Sequence, residues 1–219
     1  EINTTVIGHP IYYIRSNSKI SLENNNIAFL FGSRKSEVKS LLPYFKMAHD
    51  YLLVNFPNIN IIIPTLPHLE NYIRSFTKNW KINTKILVDK NIIESNFLKI
   101  NKAIVCSGTA SLEIAKRNIP QLVIYKLNFI TEMIAKPLIR INFANIINIY
   151  ENKIIIPELT NSNLNKKKFI IELKKLLIND NLNLNKIKLA NNSLKKIVLK
   201  EPPFEIAAKR INSYFFHSH

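Results

Sequence analysis

The sequence predicts an α/β fold, a parallel sheet covered by helices and followed by a helical tail. Three observations carry this. Short, continuous apolar runs alternate with stretches of helical period as far as Tyr125. Two of the chain's three glycines, Gly32 and Gly108, each follow such a run just before a helical pattern. From Asn165 onward only helical patterns remain.

Each element has its own signal. Asn26 to Phe31 is a buried strand ending at Gly32. Val38, Leu41, Leu42, Phe45, Ala48 and Leu52 then recur at helical spacing. Pro43 lies among them and is expected to kink that helix or shift its boundary. Asn60 to Ile63 is a second strand, stopped by Pro64, and a helix follows at about Leu69 to Lys78. Thr84 to Val88 is a third strand and Asn91 to Leu98 a short helix. Ala103-Ile104-Val105 is a fourth strand. Leu112, Ile114 and Ala115 begin a helix that ends near Asn118, and Pro120 separates it from the strand Gln121 to Tyr125. The tail reads as helices over Lys166 to Ile178, Leu184 to Leu199 and Pro203 to Phe216. Continuous apolar strands of this kind belong to parallel sheets buried on both faces. Ligands of such sheets bind beyond the carboxyl ends of the strands, where both glycine turns fall.

Composition narrows the function. The chain has 219 residues and is 47% hydrophobic, enough for a sizeable core. No apolar run approaches the ~18–20 residues of a membrane-spanning helix. The single cysteine, Cys106, excludes an internal disulfide, and His9, His49, His68, His217 and His219 are too scattered to suggest a metal centre. A cytoplasmic location is expected. The chain starts without Met or a signal-peptide pattern, so it is expected to be the later part of a longer protein. The net charge of +16 favours phosphate-bearing partners. However, Ile, Asn and Lys are abundant throughout while Gly is scarce, as AT-rich coding produces, so the lysine excess alone assigns no function. No aromatic-interleaved basic platform of the kind that binds single-stranded nucleic acid is present.

Two motifs carry chemistry. Ser107-Gly108-Thr109 leads from a strand into a helix start, where free N–H groups and the dipole favour an anion. Gly32-Ser33-Arg34 repeats this with a cation added. Arg34 opposes the helix dipole, which a bound phosphate would offset. Glu113 follows Thr109 by about one turn, where a carboxylate could accept hydrogen bonds from ribose hydroxyls. The plainer alternatives are ordinary turns, a solvated arginine and a dipole-favoured glutamate.

Four stretches in order resemble one family. They are "TTVIGHP" (4–10), "GSRKSEVKSLLPYF" (32–45), "SGTASLEIAKRNIPQLVIYK" (107–126) and "NFANIINIYENKIIIPEL" (142–159). Together they are similar to the C-terminal half of bacterial lipid-A-disaccharide synthases. The resemblance implies a GT-B glycosyltransferase, a hexosyltransferase whose Rossmann-like C-terminal domain binds UDP-2,3-diacylglucosamine. It implies transfer of that sugar, with inversion, to 2,3-diacylglucosamine 1-phosphate, giving lipid A disaccharide 1-phosphate and UDP without a metal or other cofactor.

Carried over by position, the resemblance places Ser33, Arg34, Ser107, Gly108 and Thr109 at the donor pyrophosphate and Glu113 at the ribose. It adds Asn148, Glu158 and Asn161 to the donor site. Two departures stand out: Ile147 replaces the family's proline, and Asn161 its longer glutamine. It divides the chain into a nucleotide-sugar domain over 1–162 and helices over 163–219 that pack back on it or on an N-terminal domain absent from this sequence. That missing domain is expected to hold the catalytic base and the acceptor site. A homodimer, and attachment to the anionic inner face of the cytoplasmic membrane, complete the implied partners, with no nucleic acid among them. Two other readings stay open. One is a different UDP-sugar transferase half, like the N-acetylglucosaminyltransferase of peptidoglycan synthesis. The other is a non-catalytic basic module whose surface is Lys166-Lys167-Lys168, Lys174-Lys175 and Lys195-Lys196.

Overall fold

A computed structural model describes residues 4–13, 25–126, 143–197 and 201–216. It contains β1 (Asn26–Leu30), α1 (Lys35–Asn55), β2 (Asn60–Pro64), α2 (Pro67–Thr77), β3 (Thr84–Leu87) and α3 (Lys90–Phe97). These are followed by β4 (Lys102–Cys106), α4 (Thr109–Lys116), β5 (Gln121–Tyr125), α5 (Ile146–Glu151) and β6 (Glu158–Thr160). The tail adds α6 (Lys166–Ile178), α7 (Asp180–Ile197) and α8 (Pro203–Phe216). The expected helix end at Leu199, and His217 and His219, lie outside the described residues.

The six strands form one parallel sheet in the order β3-β2-β1-β4-β5-β6. This is the Rossmann-like α/β architecture expected. Alternation along each strand feeds two apolar layers. Ile27, Phe29 and Phe31 face α1, α2 and α6, together with Phe45, Ile73 and Phe169. Ala28, Leu30 and Ile62 face the opposite side with Phe97 of α3 and Ile114 of α4. On that side Val123 packs with Ile147 of α5 and with Ala190 and Leu194 of α7. Helices α6 and α7 thus return to opposite faces of the sheet. Tyr44 ties α1 to the tail, its hydroxyl donating to the Leu164 carbonyl (2.7 Å) and its ring meeting Phe169 edge-on. Helix α8 leaves Phe204, Ile211, Tyr214 and Phe215 exposed.

Helix α1 runs through Pro43 without ending there. Pro43 removes one intrahelical donor, and the buried stripe from Val38 to Leu52 holds the helix together across it. The amino-terminal edge of the sheet is sealed by an asparagine ladder. Asn83 donates to Asn60, Asn60 to Asn26, and Asn26 to the Lys99 carbonyl, at 2.8, 3.0 and 2.9 Å.

Two elements add to the sequence reading, α5 and β6. They have six and three residues, too short to show a period. What holds them is Asn148, fully buried, which accepts from the N–H groups of Ile155 and Ile156 and donates to the Ile156 carbonyl at 2.8–2.9 Å.

Candidate functional site

The order of the strands reverses between β1 and β4, so the chain departs in opposite directions from their carboxyl ends and leaves a crevice. A cleft of about 560 Å³ opens there. Its walls include Gly32, Ser33, Arg34 and Glu37 on one side and Ser107, Gly108, Thr109 and Glu113 on the other. Pro64 at the end of β2, Thr65 and Leu66 just after it, and Ile93 and Phe97 of α3 close its other end.

The two glycines meet different demands. Gly108 has a φ of +146°, and a Cβ there would meet nothing within 4 Å. The backbone at the start of α4 is therefore open for a ligand to approach. Gly32, at φ +105°, is enclosed: a Cβ would lie 2.8 Å from Glu37 Oε2 and 3.0 Å from Cys106 Sγ. Glu37 is the residue the sequence reading left without a role. Its Oε2 accepts from the N–H groups of Ser33 (3.0 Å) and Arg34 (3.1 Å), and its Oε1 from the Arg34 guanidinium (3.0 Å). The signal was present as a glutamate three residues into a helix start, which caps such a turn. The Arg34 side chain remains largely exposed. His68, at the start of α2, reaches the same turn and donates from Nε2 to the Ser33 carbonyl at 3.2 Å.

The α4 turn is held from behind. Ser107 Oγ donates to the Ala144 carbonyl at 2.9 Å, and Ser111 Oγ to the Gly108 carbonyl at 2.8 Å. Asn145, fully buried, donates to Ser111 Oγ at 2.8 Å. The Glu158 carboxylate in turn accepts from the N–H groups of Ala144 and Asn145, the latter at 2.8 Å. Burial raises the pKa of Glu158, and the Asn145 and Ala144 donors oppose the shift. Asn145 and Ser111 read as ordinary polar residues in the sequence; only the fold brings them together.

Ser33, Arg34, Ser107, Gly108, Thr109 and Glu113 thus converge on one cleft. Asn148, Glu158 and Asn161 are not among the residues that line it. Asn148 is committed to the α5–β6 turn and Glu158 to the turn before α5. Asn161, at φ +46°, begins the short turn after β6.

Two acids of the cleft are perturbed. Burial raises the pKa of Glu113, with the Arg117 charge lowering it and the Glu94 charge raising it further. Burial, then the Glu37 charge, pushes the Cys106 thiol up to about 12, so the thiol is inert at neutral pH. Among the described residues no group of three or more His, Cys, Asp or Glu could hold a metal ion. The cleft offers anion recognition: helix-start N–H groups, an arginine and a carboxylate suited to hydroxyls.

Comparison with known proteins gives the family and the fold. The profile of the family described as lipid-A-disaccharide synthetase matches residues 2–206. The lipid-A-disaccharide synthase of Gluconobacter oxydans is 35% identical over 146 residues, covering 67% of this chain and 35% of that protein. That of Rickettsia typhi is 31% identical over 221 residues, covering 95% of this chain and 58% of its own length. The chain therefore spans about a third to three fifths of these relatives. Among solved structures, a glycosyltransferase involved in lipopolysaccharide biosynthesis is similar in fold, with a TM-score of 0.57 at 13% identity, covering 84% of this chain and 46% of that one. A putative UDP-N-acetylglucosamine 2-epimerase from Listeria monocytogenes gives 0.55 at 15% identity, covering 96% and 48%.

Proposed function

The chain belongs to the lipid-A-disaccharide synthetase family, and on that premise we propose that it is the donor-binding part of a lipid-A-disaccharide synthase. Its donor is UDP-2,3-diacylglucosamine and its acceptor 2,3-diacylglucosamine 1-phosphate. One observation carries the reading: the two glycine turns and Glu113 meet in a single cleft at the reversal of strand order.

In this reading the donor's diphosphate lies against Gly108 and the first N–H groups of α4. Arg34, largely exposed, turns from Glu37 toward it. Glu113 accepts from the ribose hydroxyls. The acceptor's 6-hydroxyl attacks the sugar's anomeric carbon, the bond to the β-phosphate oxygen breaks, and UDP leaves. Negative charge grows on that phosphate, and donors fixed before the reaction stabilise it without reorganising. The base that takes the hydroxyl proton belongs to the portion of the relatives that this chain does not span. Ser107 in the cleft wall and Glu158 behind it hold the turn that presents Gly108, and Asn148 supports them.

Residues 1–162 form the donor unit and the helices of 163–219 its brace, with further contacts to the acceptor-binding half or a second copy. No described helix is long and apolar enough to cross a membrane. The lysines of α6 and α7 give the tail a cationic surface suited to anionic headgroups at the inner face of the cytoplasmic membrane.

Calorimetric titration with UDP tests the reading. Saturable binding is expected, weakened in Arg34→Ala by about 1.5–3 kcal/mol, the range for a hydrogen bond to a charged group. Equal affinity of the variant and the parent chain would remove Arg34 from the diphosphate. No binding by the folded chain would remove the donor site from this part of the protein.

A further inference from the structure

Arg117 is a buried cation with no part in the reading so far. It follows α4 directly, and its side chain is 3% exposed. Nη2 donates to Glu94 Oε1 of α3 at 2.5 Å, and the guanidinium carbon stands 4.3 Å from the centroid of the Phe97 ring. Nε and Nη1 are buried without a hydrogen-bond partner. A buried charge this incompletely paired is unfavourable, and an apolar residue would join α3 to α4 at less cost. Its position gives the reason. Arg117 lies one helical turn after Glu113, its backbone N–H donating to the Glu113 carbonyl at 3.2 Å. The ring it rests on, Phe97, lines the cleft together with Glu113. The guanidinium therefore lies behind the wall that presents the Glu113 carboxylate.

We propose that Arg117, anchored by Glu94 and seated on Phe97, is a positioning residue that keeps Glu113 ionised to receive the ribose hydroxyls of a nucleoside diphosphate. The proposal rests on the ribose role given to Glu113 above. A carboxylate accepts from two hydroxyls at once, whereas a protonated acid must donate one of its own hydrogens. Burial favours the protonated form of Glu113, and a cation about one turn away opposes it. Glu94 acts in the other direction, tempering Arg117 and repelling Glu113. The other charges nearby are engaged elsewhere. Lys116, the last residue of α4, has Nζ on the Ile11 carbonyl at 3.0 Å, and Arg34 and Glu37 pair with each other on the opposite wall of the cleft.

The test is UDP affinity as a function of pH for the parent chain, Glu113→Gln, Arg117→Met, Arg117→Lys and Glu94→Gln. The carboxylate signal of Glu113, followed by carbon NMR in the same proteins, is the second readout. For the parent chain, affinity should fall about tenfold per pH unit below the Glu113 midpoint. Glu113→Gln should bind weakly with no such pH dependence. Arg117→Met should move the midpoint up by about one pH unit, the scale of an opposite charge at this range. Arg117→Lys should restore most of that shift. Glu94→Gln, at a half-exposed position that leaves the core intact, should move it down. Opposite shifts from Arg117 and Glu94 are the signature, because a purely structural tie would weaken binding in both without moving the midpoint. An unmoved midpoint in Arg117→Met and Glu94→Gln would overturn the role of Arg117 while leaving Glu113 in place. Parent-like binding by Glu113→Gln would instead overturn the ribose reading, and the proposal with it.

Discussion

At Gly108 the backbone is strained for any other residue but faces open space, whereas at Gly32 the strain is joined by contact with Glu37 and Cys106. The two positions should therefore respond differently to alanine. Gly108→Ala should cost about 1 kcal/mol of stability from the backbone alone. Its larger effect should be on UDP affinity, because the methyl group enters the space left for the ligand. Gly32→Ala should lose more stability than Gly108→Ala, since the Glu37 carboxylate must move away from the N–H groups it caps. Denaturant unfolding beside UDP calorimetry separates the two. Glu113 makes a second residue-scale prediction. Its pKa is raised in the fold, mainly by burial. Its contribution to stability is present below the unfolded pKa and is lost as pH rises through the folded one. Glu113→Gln should therefore be more stable than the parent chain at neutral pH and lose that advantage in acid, while losing affinity for UDP. Unfolding free energies at the two pH values check the sign.

Among the elements, α5 and β6 depend on one side chain more than on their own sequence. Asn148→Ala removes three buried hydrogen bonds and leaves the Ile155 and Ile156 backbone groups unpaired. A loss of about 2–3 kcal/mol is expected, above the effect of a typical surface change. Because β6 carries Glu158, which holds the turn bonded to Ser107, the same variant should weaken UDP binding without touching the cleft. Hydrogen exchange at Ile155 and Ile156 would show whether the clamp has opened. The asparagine ladder works similarly at the other edge, where Asn60 both accepts from Asn83 and donates to Asn26. Helix α1 depends on its apolar stripe instead, which is why Pro43 lies inside it.

For the whole molecule, the strand order decides where a ligand can go. Reversal between β1 and β4 brings together two turns separated by 75 residues of chain, Ser33 and Gly108. If the cleft binds UDP, the ligand should stabilise the whole sheet through both turns. At 100 times its dissociation constant the gain is about 2.7 kcal/mol, read as a raised unfolding temperature. The net charge of +16 should also make the affinity fall as salt is added.

The sequence by itself determined the class of the fold, its first five strands, the tail helices and the family. Those features are local: apolar runs such as Ile104-Val105, the stripe from Val38 to Leu52, and short motifs in fixed order. It also pointed to Ser33, Arg34, Ser107, Gly108, Thr109 and Glu113, because glycine turns at strand ends have a recognisable chemistry. Only the tertiary structure decided that these six share one cleft, that Glu37 fills the turn at Gly32, and that Asn148 and Glu158 are engaged behind the site. It also buried Arg117 between Glu94 and the Phe97 ring, one helical turn after Glu113. These relations depend on hydrogen bonds and charges between residues distant in sequence, and neither periodicity nor composition records such pairs.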